Sequence, residues 1–152
     1  MTRETQTLIA NQLSKLQDKV GEFISFFQQD LSFDTMIYTH WSARNVLGHI
    51  TFWHESFACN LLDLIQNRPP NPLRGKLSEV NKMSVETTRH VSVDMLIERL
   101  KAAQKIIDIH IFNTDISIIP YKKGSRSYTR LEHLEIVEAH IKRHLKDLNK
   151  AF

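Results

Sequence analysis

Only one cysteine, Cys59, stands in the 152-residue chain. It can form no internal disulfide, cannot supply a cysteine-based zinc site, and fits a reducing cytosol. Four glycines and four prolines are too few for a turn-rich β fold and favour long uninterrupted elements. No apolar run approaches the roughly 18 residues of a membrane span, and residues 1–6 are polar rather than leader-like. A cytoplasmic protein without membrane association is therefore expected. The formal charge of +3 is modest and its basic residues are dispersed, which argues against a nucleic-acid partner. A Gly-x-Ser-x-Gly elbow and a dinucleotide fingerprint are also missing. The Arg74-Gly75-Lys76 run is no phosphate loop, because Pro70 stands where the first glycine should be and Leu77 follows the lysine.

What the chain does have is helical periodicity. Ile9, Leu13, Leu16, Val20, Phe23, Ile24, Phe27 and Leu31 recur at three- and four-residue spacing and predict an amphipathic helix over residues 5–31. Residues 33–40 read as a connection. Ser42 is an N-cap signal for a second helix over 43–66, which Pro69 and Pro70 stop. Residues 68–76 are a loop, and 77–89 a shorter helix with a weak stripe of Val80, Met83 and Val85. Ser92 caps the next helix, whose buried face is Leu96, Leu100, Ala103, Ile107 and Ile111. Residues 113–128 are irregular. Thr129 and Glu132 form a capping box ahead of a last helix with the stripe Leu134, Val137, Ile141, Leu145 and Leu148. One domain over residues 1–152 follows: an all-α, antiparallel four-helix bundle with an additional short helix.

Histidines interrupt the buried stripes. On the second helix His49 lies at roughly −40° from Trp53, among the core positions, and a buried imidazole needs a partner. On the last helix His133, His140 and His144 all lie on or beside the stripe. His140 and His144 are one turn apart, with Cβ atoms about 5–6 Å from each other, so both can reach one ion at roughly 2.0–2.1 Å. His133 is two turns from His140, roughly 10 Å along the axis, too far to share that ion. Three inward histidines from two helices suit zinc or a similar divalent ion with open positions. Taken alone, the residues support core histidines satisfied by other partners equally well. His54 falls at the flank of the stripe, near +100° from Trp53; a half-exposed surface residue is the plainer reading, a general base or substrate contact the sharper one. Trp53 reads as a core anchor, and Lys122, Lys123, Arg126 and Arg130 as a solvated basic loop that could otherwise steer an anion. Cys59 lies off the core face.

Trp41-Ser42, Val46-Leu47-Gly48-His49 and His140-x3-His144, in that order and separation, resemble the DinB/YfiT-like superfamily of bundle metalloproteins over nearly the whole chain. The resemblance implies His49, His140 and His144 as ligands of a divalent ion such as Zn or Ni. The run from His49 through Trp53 to His54, and the layout of residues 77–103, are similar to the ClbS/DfsB branch. That branch has a tryptophan three residues after its last-helix histidine, where this chain has Arg143 followed by His144.

The superfamily implies metal-dependent transferases that use low-molecular-weight thiols, and isomerases; the branch implies disarming of reactive electrophiles. The expectation is a metal-dependent enzyme, hydrolase or transferase, acting on a small electrophilic substrate, with His54 as its candidate catalytic residue. The alternative is a bundle that binds and sequesters a small molecule without a required metal. A homodimer is a further expectation, since such bundles bury faces well against a copy of themselves.

Overall fold

The computed structural model describes residues 3–152, Glu4 by its backbone alone. Met1 and Thr2, part of the stretch expected to lack a leader, lie outside the described residues. Among the described residues there are five helices: α1 (Arg3–Phe27), α2 (Ala43–Ile65), α3 (Leu77–Glu86), α4 (Val93–His110) and α5 (Arg130–Ala151). Four are long and one is short, as the periodicity predicts. Among the described residues no helix is long and apolar enough to cross a membrane.

Side-chain pairs fix the helix directions. Gln6 donates to the carbonyl of Phe112 and Gln17 to Asp108, so α1 and α4 run antiparallel. His49 meets His140 while Phe57 stacks on His133 at 4.8 Å, so α2 and α5 are antiparallel as well. Arg44 reaches Val91 and Glu55 pairs with Arg99, which makes α2 and α4 parallel neighbours. Phe26 meets Phe152 at 5.3 Å, and Lys19 lies by Lys142, which makes α1 and α5 parallel too. Of the steps between consecutive long helices, only α2 to α4 joins two that run the same way, and the α3 excursion supplies the crossover it needs. The heaviest packing is α2 on α4 and α1 on α5.

The core follows the predicted stripes. Ile9, Leu16, Phe23, Leu47, Leu100 and Leu134 are all essentially inaccessible, and burying such side chains is worth about 1.5–3 kcal/mol each. Two capping boxes set the site helices. Ser42 and Asn45 cap α2, Thr129 and Glu132 cap α5, and in each pair the side chains bond reciprocally to the other's backbone.

Residues 113–128, expected to be irregular throughout, contain all but the last strand residue of a small antiparallel hairpin. Its strands are β1 (Ile118–Ile119) and β2 (Tyr128–Thr129), with Ile118 opposite Thr129 and Ile119 opposite Tyr128. Two-residue strands carry too little alternation to be seen as a pattern; this one forms because Ile119 is buried against the bundle. Leu73 bridges to Lys122, tying the proline-rich loop to this hairpin.

Gly48 is the point of closest approach between α2 and the end of α3. A Cβ there would fall 2.1 Å from Thr88 Oγ1 and 2.8 Å from Thr88 Cβ, so only glycine lets α3 settle over the next residue, His49.

Candidate metal centre

His49, His140 and His144 meet in the bundle interior, with one candidate ligand atom from each lying within 4.8 Å of the others. His140 Nε2 is 2.9 Å from His49 Nε2 and 3.1 Å from His144 Nε2. Ligands about 2.0–2.1 Å from a tetrahedral ion stand about 3.3 Å apart, so small side-chain shifts suffice. His49 and His144 are buried and His140 is half-buried.

The outer nitrogens decide what the inner ones can do. His49 Nδ1 lies 2.9 Å from Ser84 Oγ, and that hydroxyl gives its one proton to the carbonyl of Asn81 at 2.6 Å. Ser84 can then only accept, so His49 carries its proton on Nδ1 and leaves Nε2 as a bare lone pair. The same logic runs on the other side. Tyr38 donates its phenolic proton to Asp147 Oδ2 and accepts from His144 Nδ1 at 2.8 Å, leaving His144 Nε2 bare. Two lone pairs therefore converge on His140 Nε2. With His140 in its matching tautomer, three neutral imidazole donors face one point, the donor set of an open-sided divalent site.

Electrostatics keep these rings neutral. Burial pushes His49 down to about 2, with the neighbouring His140 and His144 adding to the effect. Burial likewise lowers His140 to about 3 and His144 to about 4, and the Arg143 guanidinium pushes both further down. No proton has to be displaced from a charged ring before a metal binds near neutral pH. Tyr38 is raised well above the usual phenol range by burial and by the Asp147 carboxylate, so it stays a neutral donor.

The connecting segment brings Tyr38 to this place. Ala43 and Arg44 donate backbone bonds back to Thr35 and Phe33, and Ile37 and Tyr38 donate to Trp41. The segment folds over the start of α2, and Trp41 lies 4.6 Å from the His49 ring.

Two clefts open beside the cluster. One, about 490 Å³, is lined by Tyr38, His40, Trp41, Arg143, His144 and Asp147. The other, about 380 Å³, is lined by Trp53, Asn81, Tyr121, Ile136, His140 and Arg143, among others. Arg143 stands between them.

The remaining predicted residues are placed differently. His133 takes no part in the cluster: its Nε2 donates to the carbonyl of Ile119 at 2.8 Å, anchoring the hairpin. His54 is not half-exposed but 1% accessible, because α4 covers the flank of α2 and widens its buried arc beyond the apolar stripe. Its Nε2 lies 2.7 Å from Gln104 Oε1, while the Gln104 amide donates to Asp108. Trp53 is buried, donates to Asn81 and stacks on Tyr121 at 5.2 Å.

The basic loop is not uniformly solvated either. Arg130 is 2% accessible and donates to the carbonyl of Ile111, tying the end of α4 to the start of α5, while exposed Arg126 pairs with Glu132. Tyr38, Ser84, Asn81 and Asp147 escaped the sequence reading. Asp147, one turn beyond His144, was the one with a readable signal, a carboxylate placed to reach the site from the same face.

A scan against models of known protein families finds no match, and a search of curated proteins finds none. Among solved structures the chain is similar to the mycothiol-dependent maleylpyruvate isomerase, with a TM-score of 0.73 and 11% identity over 92% of this chain. A histidine-to-alanine mutant of that isomerase matches with a TM-score of 0.72 at 10% identity, again over 92% of this chain. In both cases the match spans 60% of the other protein's length. At this identity the likeness establishes the fold alone, a helical bundle.

Proposed function

We propose that the chain is a metal-dependent enzyme, a hydrolase or thiol-using transferase, that acts on a small electrophilic molecule. One observation carries the reading: three imidazoles converge, and the outer partners of two of them, Ser84 and Tyr38, hold Nε2 free of a proton. As a purely structural core such a set is under-satisfied, because His140 Nε2 has one proton to give and two bare lone pairs, His49 Nε2 and His144 Nε2, face it. It suits zinc, nickel or a similar ion, held by His49, His140 and His144. The likeness in fold to a thiol-dependent isomerase supports this class of chemistry.

When bound, the ion supplies Lewis acidity and lowers the pKa of a coordinated nucleophile towards about 7. The chain's own residues do the rest. Ser84, backed by Asn81, and Tyr38, backed by Asp147, hold two of the rings in one tautomer and orientation. Trp41, 4.6 Å from the His49 ring, packs against one side of the cluster. The clefts on either side of Arg143 give two reactants separate approaches. In this reading His54 is a packing residue, its Nε2–H committed to Gln104.

Metal analysis of protein purified without a histidine tag tests the proposal. About one divalent ion per chain is expected, together with a melting temperature that rises on adding Zn²⁺ or Ni²⁺ and no longer does so in His144→Ala. Loaded protein should accelerate the displacement of chloride from chlorodinitrobenzene by a small thiol, which forms the thioether and releases chloride and a proton, and chelation should abolish the rate. Absence of both metal and thermal response overturns the reading. Tight binding of an electrophile with no metal and no turnover would instead identify a sequestering protein.

A further inference from the structure

We propose that the cleft walled by Trp53, Tyr121 and His140 is the binding site for a small aromatic or unsaturated carboxylate, whose charge is held by Arg143. The assignment deepens the enzyme reading above and names the substrate class of the same site.

Arg143 is exposed, and among the described residues it pairs with no carboxylate. The other arginines near the bundle's polar contacts are committed: Arg99 to Glu55, Arg126 to Glu132, Arg68 to Asp63, Arg44 and Arg130 to backbone carbonyls. Asp147 is one turn away on the same face of α5, yet its carboxylate accepts from Tyr38. A guanidinium left free at the mouth of a cleft is a ready bidentate partner for a carboxylate. Arg143 lines both clefts, beside His144 in one and beside His140 in the other.

The two clefts that Arg143 borders are chemically unlike. The larger contains Asp147, whose negative charge opposes an anion. The smaller has no acidic residue in its lining: Trp53, Leu77, Tyr121, Ile136 and Ala139 are apolar or aromatic, and Asn81 and His140 add polarity. About 380 Å³ suits a ligand at the small end of the usual range. Trp53 and Tyr121, stacked on each other with 5.2 Å between ring centres and planes 20° apart, both line the cleft and give it an aromatic side suited to an unsaturated or aromatic body. His140 borders the same cleft, so a body anchored on Arg143 lies beside the candidate metal ligands. Cation, aromatic lining and candidate metal ligands together favour a carboxylate with an unsaturated or aromatic, electrophilic tail.

Cinnamate and its neutral isostere cinnamamide are the probes, with binding followed by tryptophan fluorescence in metal-loaded protein and in chelated protein. Cinnamate should bind about tenfold or more tightly than the amide, and the preference should weaken as salt rises. Arg143→Gln should abolish the preference and Arg143→Lys should keep part of it, with metal content unchanged in both. Equal binding of the two probes, a preference that survives Arg143→Gln, or no cinnamate binding at millimolar concentration overturns the proposal. Metal content tests the metal centre independently of the probes. A protein without metal that still prefers cinnamate through Arg143 would keep this site and lose the metal centre, and a metal-loaded protein without the preference would do the reverse.

Discussion

Ser84 Oγ stands 2.9 Å from His49 Nδ1 and 2.6 Å from the carbonyl oxygen of Asn81. The hydroxyl has one proton and spends it on the carbonyl, so the imidazole must donate to the oxygen. One serine on a short helix thereby sets the tautomer of a histidine on another. Ser84→Ala keeps all three candidate ligands but releases that choice. Metal affinity should fall by about ten- to a hundredfold with little change in the helical spectrum, as competition against a chromogenic chelator can measure. Unchanged affinity would mean that His49 is not held through Ser84.

The Tyr38–Asp147 pair makes a sharper test, because its effect passes through a proton. Asp147 accepts the phenolic proton and so forces Tyr38 to accept from His144. In Asp147→Ala that proton is free to point at His144 Nδ1, and the imidazole then carries its own proton on Nε2, facing the cluster. Neither ligand nor tyrosine has changed, yet metal binding should weaken about tenfold. The nitrogen shifts of the His144 ring in the metal-free protein should report the exchanged tautomer. An unaltered ring spectrum with normal metal binding would remove Asp147 from the site.

How much of this was readable beforehand depends on the range of the signal. Ser42 and Thr129 announce their helices because a cap acts within four residues. His49, His140 and His144 announce their orientation because a helix repeats every 3.6 residues. Tyr38 and Ser84 announce nothing. Their roles depend on a connection folding back over α2 and on a short helix settling above Gly48, contacts between residues 106 and 35 positions apart. His54 and Arg130 were misjudged for a related reason. A wheel shows where a helix is apolar but not how many neighbours cover it, and α4 covers the flank that His54 occupies. The parallel running of α2 with α4 also has no local signature, since it follows from the length of crossovers rather than from their composition.

Gly48 offers a test of packing rather than chemistry. A methyl group there would meet Thr88 Oγ1 at 2.1 Å and Thr88 Cβ at 2.8 Å, and Thr88 is buried and bonded to the carbonyl of Ser84. Gly48→Ala should therefore displace the end of α3 and cost about 1–3 kcal/mol in chemical denaturation, despite the better helix propensity of alanine. Adding Thr88→Ala removes the hydroxyl contact but leaves the Cβ, so rescue should be partial. Because Ser84 moves with α3, metal affinity should fall in the single variant as well. A stabilised Gly48→Ala protein would show that the approach of α3 is looser than the backbone implies.

Acid should unfold the protein through histidines that the fold keeps neutral, and His54 is the one to follow because it stands apart from the cluster. Burial holds it down to about 4, against smaller upward effects of Gln104, Asp108 and Glu55. An unfolded histidine takes up its proton near pH 6.5. Between those values the unfolded chain binds a proton that the folded chain refuses, so stability rises with pH across this window. The contribution is fully present above about 6.5 and is lost as the pH falls through 4, by an amount on the order of 3 kcal/mol. His54→Gln can still donate to Gln104 but cannot titrate. Urea denaturation of the metal-free proteins at pH 7 and pH 5 should thus show the native chain losing more stability than the variant. Equal losses in the two would indicate that His54 is protonated within the folded bundle, and that its bond to Gln104, with Asp108 behind it, outweighs the cost of burial.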